Sequence, residues 1–251
     1  MKKFETSLLS FLSKYDEWEV PTDVPYPSVF KFFYSSKYKL YLHLVNTSLY
    51  ADVPSKDYFQ TISLHCYHQH IKLIHLREEQ WLTKPDFIKH RLLSIFEENK
   101  KVHARACKII RIDKKIYDDF LNENHLLQTA STRFKFGMYK DQELLAVMGI
   151  STGRWMTQEN DLRKSFEIVR FASKTHITIV GGFSKMLKHI ETELEVEEWM
   201  TYYDLDWVQS NVYTRLGFAF KQIMTPKEIS PSNGKIKIYN AGNLKFVKRV
   251  R

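Results

Sequence analysis

Two adjacent glycines in the second half of the chain constrain its fold more than any other feature. An alternating apolar segment, 165–171, and an extended segment that ends at Val180 precede Gly181 and Gly182, and apolar residues at helical spacing follow them. This order predicts a strand that enters a helix through a glycine turn. The first amides of such a helix lack carbonyl partners and lie at the positive end of its dipole, so the turn has the form of an anion-binding site.

The residues after this helix predict a second strand that ends in carboxylates. The segment 199–207 carries Asp204 and Asp206, and a short segment closed by Leu216-Gly217-Phe218 follows it. This spacing predicts a short helix that brings Tyr213 beside the carboxylates. Side chains alternate along a strand, so only one of the two aspartates is expected in a site.

The composition favours an acidic partner. The chain has 251 residues, a formal net charge of +9 and 14% aromatic residues. Basic, aromatic-rich chains are suited to nucleic acid, although many basic proteins bind none. We therefore expect nucleic acid as a partner.

The cysteines and the apolar runs predict the compartment. Cys66 and Cys107 lie far apart and form no CxxC pair, which predicts free thiols and a reducing cytoplasm. Apolar runs fall short of the roughly 18 to 20 residues that span a bilayer, and the first residues lack the apolar region of an export signal. We predict a soluble, cytoplasmic protein without a membrane partner; the sequence leaves its oligomeric state open.

Residues 1–101 predict a small α/β module. The polar stretch 97–101 is the predicted linker after it. Helices are predicted over 4–15, 56–70 and 85–97, and strands over 37–45 and 71–76.

Residues 102–225 predict a second domain, in the order strand, helix, three strands, helix, strand, short helix. Residues 226–251 predict a C-terminal hairpin with strands near 235–239 and 244–250. Its exposed positions are basic and are candidates for phosphate contacts: Lys235, Lys237, Lys245, Lys248, Arg249 and Arg251.

The element order of the second domain, with the glycine turn and a tyrosine before Leu-Gly-Phe, resembles the acyl-CoA N-acyltransferases of the GNAT superfamily. The resemblance implies an α/β fold with a mixed central sheet and flanking helices. It also implies an acyl-CoA, such as acetyl-CoA, whose pyrophosphate lies on the turn formed by Gly181, Gly182, Phe183, Ser184 and Lys185. The family tyrosine that protonates the departing thiolate falls on Tyr213, and a phenol with a pKa near 10 suits that task. Packing between helix and sheet is the alternative role of this residue.

The chain departs from the family pattern at one position of the turn. The family turn reads Arg/Gln-x-x-Gly-x-Gly/Ala; Gly182 matches its first glycine and Ser184 its second small residue, whereas Ile179 occupies the Arg/Gln position.

Several segments, among them Val180-Gly-Gly-Phe-Ser-Lys-Met-Leu, also resemble a GNAT-like domain of phage and mobile-element proteins similar to Mom-type DNA modification proteins. In the first module, 71–81 resembles the last strand and helix of endonuclease modules of the very-short-patch-repair type. A nuclease needs carboxylates that converge on Mg²⁺, and the equivalent region offers only Asp52 and Asp57. We therefore interpret the module as a degenerate relative.

Three further residues are candidates for catalysis. His125, at the end of the first helix of the GNAT-like domain, is a candidate general base, with helix capping as its alternative. Asp204 aligns with the acidic position of the family, with a turn-forming role as its alternative. Arg170, within an apolar strand, needs an anionic partner, which Asp204 could supply.

The first module contains a group of histidines and a cysteine that resembles a zinc site: His65, Cys66, His68, His70 and His75. On a helix His65 and His68 share one face whereas Cys66 and His70 share another, so we predict no metal site.

Together these features predict an acyl-CoA-dependent transferase that acts on nucleic acid, with the sites named above. The alternatives are a non-catalytic DNA-binding adaptor on a GNAT-like scaffold and a nuclease that uses the first module.

Overall fold

The computed structural model describes residues 2–158, 161–209, 212–229 and 237–250. The chain forms two compact units, each made of several segments. The first comprises Met1–Pro85, Tyr202–Val212 and Lys221–Lys245; the second comprises Asp86–Thr201, Tyr213–Phe220 and Phe246–Arg251. The sequence predicted the continuous segments 1–101, 102–225 and 226–251 instead, and that division stays a prediction.

The described elements are, in chain order, α1 (Lys2–Leu12), β1 (Lys31–Ser35), β2 (Leu40–Val45), α2 (Tyr58–His68), β3 (Lys72–Arg77), α3 (Glu78–Thr83), α4 (Pro85–Ile95), β4 (Lys100–His103), β5 (Lys108–Arg111), α5 (Lys114–Asn124), β6 (Phe134–Lys140), β7 (Glu143–Ile150), β8 (Arg154–Gln158), β9 (Asp161–Ser173), β10 (Ile177–Val180), α6 (Gly182–Glu193), β11 (Glu198–Asp204), β12 (Trp207–Val208), α7 (Val212–Arg215), β13 (Ala219–Met224) and β14 (Asn243–Arg249). Two short 3-10 helices, Thr47–Asp52 and Ala104–Ala106, lie between them.

The first unit is built on a sheet with strand order β1-β2-β3-β12. The β2 and β3 strands are parallel, and β1 and β12 are antiparallel to their neighbours. The α1 helix buries Phe4, Leu8 and Leu12, as its apolar spacing predicts. The sequence analysis missed β1, α3 and the two-residue β12.

The larger sheet has the order β13-β14-β11-β9-β7-β6-β5, with β8 paired to β9, and its strands β11, β13 and β14 are divided between the two units. A separate parallel pair joins β10 to β4. Along the chain, the order β5, α5, β6, β7, β9, α6, β11, α7 is the one that the sequence predicted, with β8 and β10 inserted. The predicted fold class, a mixed α/β sheet with flanking helices, is confirmed.

The C-terminal strand differs from the predicted basic hairpin. Residues 243–249 do form a strand, β14, but its sheet neighbours are β13 and β11. The reason is that Leu244, Phe246 and Val247 are buried, and a strand with this much apolar surface needs cover that a surface hairpin does not offer. Near the other predicted strand, Tyr239 forms an isolated bridge with Glu228.

The β9 strand is paired with β11 along only part of its length. Its parallel pairing with β11 joins Ser165–Glu167 to Glu198–Met200 and ends there, although β9 continues to Ser173. The remaining half of β9 pairs with β7, with a bulge at Gly149 and Ile150. The α5 helix covers this sheet with Tyr117, Phe120 and Leu121. Within the described part of the chain, no helix has the length and apolar character needed to cross a membrane.

Candidate functional site

The predicted glycine turn is present and leaves amides open. Gly181 has φ 75° and ψ 8°, a left-handed conformation that favours glycine, and it caps α6. The Ser184 hydroxyl and the Lys185 amide both donate to the Gly181 carbonyl at 3.0 Å. Among the described residues, the amides of Gly182, Phe183 and Ser184 have no acceptor. Three donors at the positive end of a helix dipole are therefore left without an acceptor, as an oxyanion site requires.

The two glycines serve different purposes. A Cβ atom on Gly181 would have open space, with its nearest neighbour, Ala104 Cβ, 3.9 Å away. Glycine is therefore favoured at this position by the positive φ and not by lack of room. A Cβ atom on Gly182 would lie 2.9 Å from Cγ2 of Ile179. The residue that replaces the family's Arg/Gln thus packs against the turn itself.

Two buried side chains anchor the loop that leads into β10 and the turn. The Asn124 Oδ1 atom accepts hydrogen bonds from the amide and the hydroxyl of Thr175, each at 2.8 Å. The His90 Nδ1 atom accepts the His176 amide at 2.7 Å. Burial lowers the pKa of His90 to about 4, so its ring is neutral and keeps this lone pair. The sequence analysis selected the neighbouring His125 and assigned no role to Asn124 or His90.

Lys185, predicted to bind the cofactor, directs its charge elsewhere. Its ammonium group donates to the carbonyls of Ala104 at 3.0 Å and Cys107 at 2.5 Å. It therefore holds α6 against the 3-10 helix before β5.

Phe183 links the turn to the predicted catalytic tyrosine. Its ring centroid lies 5.8 Å from that of Tyr213 and 5.1 Å from that of Phe171 on β9. The half-buried Tyr213 ring also contacts Phe218 and Phe246 at 5.6 and 5.9 Å. The structure thus brings together the open amides, the part of β9 beyond Glu167, which has no β11 partner, and Tyr213.

His125 has the geometry of a helix cap. Its amide donates to the Leu121 carbonyl at 2.9 Å, and its Nδ1 atom accepts the Leu127 amide at 3.1 Å. A neutral ring held in this way carries its proton on Nε2, so it has no lone pair left for a substrate amine. The capping alternative fits this geometry better than the general base.

Arg170 and Asp204 lie in different units, and their predicted pairing stays a prediction. The Arg170 Nη1 atom donates to the carbonyl of Val169 at 2.9 Å, and its buried Nε atom has no partner among the described residues. The Asp204 Oδ1 atom accepts the amide of Asp206 at 2.9 Å, which is the turn-forming contact.

The predicted basic surface is divided. Lys237 pairs with Glu228 at 3.4 Å, and Lys248 pairs with Glu191 at 3.2 Å. Lys245 and Arg249 lie on β14, whereas Lys235 and Arg251 lie outside the described residues. Because the described four fall in two units, their role as one nucleic-acid surface stays a prediction.

The candidate metal ligands of the first unit do not converge. Burial raises the pKa of Cys66 to about 12, and His75 is buried in a hydrogen-bonded chain. The described residues contain no cluster of three side chains suited to a metal ion. The degenerate endonuclease character of the module, the nuclease role of Asp52 and Asp57, and the phage or mobile-element context stay predictions.

Comparison with solved structures gives GNAT acetyltransferases as similar folds. A GNAT family acetyltransferase from Elizabethkingia anophelis with acetyl-CoA bound is 11% identical, with a TM-score of 0.36 over 58% of this chain and 99% of its own. The ribosomal-protein-S18-alanine N-acetyltransferase from Escherichia coli is 12% identical, with a TM-score of 0.39 over 57% of this chain and 94% of its own. A Bacillus subtilis acetyltransferase in complex with CoA is 16% identical, with a TM-score of 0.36 over 58% and 99%. No family model and no curated protein matches the sequence.

Proposed function

We propose that this chain is an acyl-CoA-dependent N-acyltransferase. One observation carries the proposal: Phe183 joins the open amides at the start of α6 to the ring of Tyr213. Phe183 also contacts Phe171 on β9, so an oxyanion site at the turn and a phenolic proton donor would both lie near this strand.

The residues of the turn fit the pyrophosphate of an acyl-CoA. The backbone of Gly181 is exposed, and no side chain occupies the space where its Cβ atom would lie. The amides of Gly182, Phe183 and Ser184 would donate to the phosphate oxygens. Lys185 would not take part, because its ammonium group is bound to two carbonyls. When bound, the acyl-CoA supplies an activated acyl thioester.

Tyr213 would supply the proton of the reaction. The acceptor amine forms a bond to the acyl carbon, the carbon–sulfur bond breaks, and the phenol donates its proton to the departing sulfur. The amine gives up one proton to water, because the Nδ1 lone pair of His125 is engaged by Leu127, and water returns a proton to the Tyr213 phenolate. The products are an amide and a free thiol and Tyr213 is regenerated, so atoms and charges balance.

We propose nucleic acid as the acceptor. The net charge of +9 supports this, as does the hairpin formed by β8 and β9. Trp155 is 62% exposed there and lies directly opposite Lys164, so the two side chains share one face. An exposed indole beside a cation is suited to stack on a base of a single strand. The resemblance to DNA modification proteins supports the same acceptor.

A charge placed in the turn tests acyl-CoA binding. Gly181→Asp and Gly181→Asn add side chains of equal size, and both residues tolerate a positive φ. We expect the carboxylate to weaken acetyl-CoA binding about tenfold or more, and the amide to leave it within about threefold, measured by calorimetry. Equal affinities in the two variants, or no binding by the unmodified protein, would remove the proposal.

The adaptor is the second candidate, favoured by the same exposed Trp155. A gel shift with single-stranded DNA in the absence of acyl-CoA separates the two. We expect Trp155→Ala to weaken binding about tenfold, since a stacked base contributes about 1–3 kcal/mol. DNA binding without any acyl-CoA binding would select the adaptor, and unchanged DNA binding in Trp155→Ala would reject the hairpin as the contact.

A further inference from the structure

Three hydrogen-bond donors of the second unit are buried without acceptors in one place. They are the phenol of Tyr117 on α5, the hydroxyl of Thr132 before β6 and the Nε atom of Arg170 on β9. The two hydroxyls interact with each other, but among the described residues none of the three atoms makes a hydrogen bond of normal geometry. Most buried polar groups in proteins are paired, and an unpaired one costs about 1–3 kcal/mol. Three together call for a reason.

Gly149 on β7 brings the three groups to one point. A Cβ atom on Gly149 would lie 1.9 Å from the Tyr117 phenol oxygen and 2.8 Å from Cγ2 of Thr132, so both side chains occupy the space that glycine leaves. Arg170 is the cross-strand partner of Gly149. The Cβ positions of directly opposite residues lie on the same face, about 5 Å apart, so the base of the Arg170 side chain lies beside the two hydroxyls. The bulge at Gly149 and Ile150 lies at the same point.

The charges around this point are mainly positive. Arg170 is accompanied by Lys135, whose ammonium group lies 6.0 Å from the Tyr117 ring centroid and donates to the Thr132 carbonyl at 2.7 Å. The nearby carboxylate of Asp118 is already held by Lys114 and Thr129. Burial raises the pKa of Tyr117 to about 12, so the phenol keeps its proton and acts as a donor.

We infer that Tyr117, Thr132 and Arg170 form a binding subsite for an oxyanion. Two hydroxyl donors and one guanidinium donor match the acceptor oxygens of a phosphate or a carboxylate. Under the proposed function, this oxyanion belongs to the acceptor, which makes the acceptor an anionic molecule; this last step rests on that function, whereas the subsite does not.

The partly exposed Arg170 gives the direction of entry. Tyr117 is fully buried, so an anion reaches the arginine first and the two hydroxyls behind it. Thr132 belongs to the loop 125–133 between α5 and β6, and this loop must shift to admit the ligand.

The test uses inorganic phosphate in the Gly181→Asp background, which suppresses binding at the α6 turn. Thermal unfolding is followed against phosphate concentration, with sodium chloride at matched ionic strength. We expect a saturable rise in the melting temperature. Tyr117→Phe and Arg170→Gln should raise the apparent phosphate Kd about tenfold, the loss of about one charge-assisted or buried hydrogen bond. A parallel titration with acetate distinguishes a carboxylate ligand from a phosphate ligand.

The urea midpoint without phosphate separates this role from packing. Tyr117→Phe removes a hydroxyl that makes no hydrogen bond of normal geometry, so the midpoint should stay equal or rise; a hydroxyl that holds the fold together would lower it. The inference fails if phosphate and acetate both act like chloride, if both variants keep the full response, or if Tyr117→Phe lowers the midpoint while the response stays. None of these results depends on acyl-CoA, whose binding is measured separately.

Discussion

The histidine network of the first unit and the region around Gly149 in the second treat their buried polar groups in opposite ways, although Arg77 Nε, Arg77 Nη1 and Asn46 Oδ1 of the first unit also have no partner among the described residues. In the first unit six groups form one continuous hydrogen-bonded chain: Tyr58, Ser28, His43, His75, Ser63 and the carbonyl of Leu205. In the second unit, donors at the start of α6 and around Gly149 have no acceptor among the described residues. A closed network specifies a fold, whereas open donors prepare a surface for a ligand.

The hydrogen-bond donors and acceptors of this network can be assigned in one way. The Ser63 hydroxyl donates to the Leu205 carbonyl at 2.7 Å, so it accepts from His75 Nε2 at 2.8 Å. His75 Nδ1 is then the acceptor for His43 Nδ1 at 2.7 Å, and His43 Nε2 accepts from Ser28 at 2.6 Å. Both rings are neutral and use both nitrogens. The chain thus has no group left for a substrate, which supports a scaffold role for this unit.

Removal of the buried charge in the first unit should have the largest effect. Arg77 is 2% exposed, donates to Asp206 at 3.0 Å and lies 4.6 Å over the Phe59 ring. We expect Arg77→Met to lower the free energy of unfolding by about 3–5 kcal/mol, because it leaves the Asp206 carboxylate without its cation. Urea denaturation measures this loss.

The double variant Arg77→Met/Asp206→Asn is the control for this pair. It should be more stable than Arg77→Met alone, because the uncompensated charge is gone. Additive losses would mean that the two residues act independently and that the ion pair is not part of the scaffold.

Mild acid should weaken the closed network next. Burial, and then the charges of His75 and Arg77, hold the pKa of His43 well below its usual 6.5; burial and then Arg77 lower the pKa of His75 to about 3. The unfolded chain takes up protons below pH 6.5 and the folded chain does not, so stability is full above pH 6.5 and falls as the pH drops toward 3.

We expect each of the two histidines to lower the free energy of unfolding by about 1.3 kcal/mol between pH 7.0 and 5.5, measured by urea denaturation at both pH values. His90 adds a loss of the same sign, over a window from pH 6.5 to about 4. His68→Gln, at an exposed position of α2, is the control and should leave the difference between the two pH values unchanged. Equal stability at both pH values would show that the buried rings are not held neutral.

In the open region, Tyr213→Phe should affect the reaction and leave binding alone. The substitution keeps the ring contacts with Phe183, Phe218 and Phe246 and removes the proton donor. We expect kcat to fall about 100-fold, the low end for general acid catalysis, with the acetyl-CoA Kd from calorimetry unchanged. An unchanged kcat would assign Tyr213 to packing, and a parallel loss of affinity would assign it to binding.

The sequence predicted the open region better than the closed one. A glycine pair between a strand and a helix has a local cause, so the turn at Gly181 and the start of α6 followed from pattern alone. The histidine chain joins β2, β3 and α2 across long sequence separations, and single-sequence patterns carry no such contacts. The same holds for Asn124 and His90, which act on a loop more than 50 residues further along the chain.

β14 shows the limit of a local hairpin pattern. Two alternating segments around a turn near residue 240 predicted a basic surface hairpin, whereas the buried Leu244, Phe246 and Val247 place β14 between β13 and β11. The strand itself followed from its alternation, but the pattern of one segment does not identify its neighbours in a sheet.

Alanine substitutions at two glycines, one in each region, should give the smallest difference in stability. Gly181 and Gly242 have nearly the same positive φ, 75° and 76°, so alanine strains the backbone of both equally. A Cβ atom on Gly181 has open space, whereas one on Gly242 would lie 2.6 Å from both the Met224 carbonyl oxygen and Nε2 of Gln60. We expect Gly242→Ala to lower the free energy of unfolding by about 1 kcal/mol more than Gly181→Ala does, measured by urea denaturation. Equal losses would mean that the atoms around Gly242 move aside for a methyl group as readily as those around Gly181. Tight packing would then not distinguish the first unit from the turn.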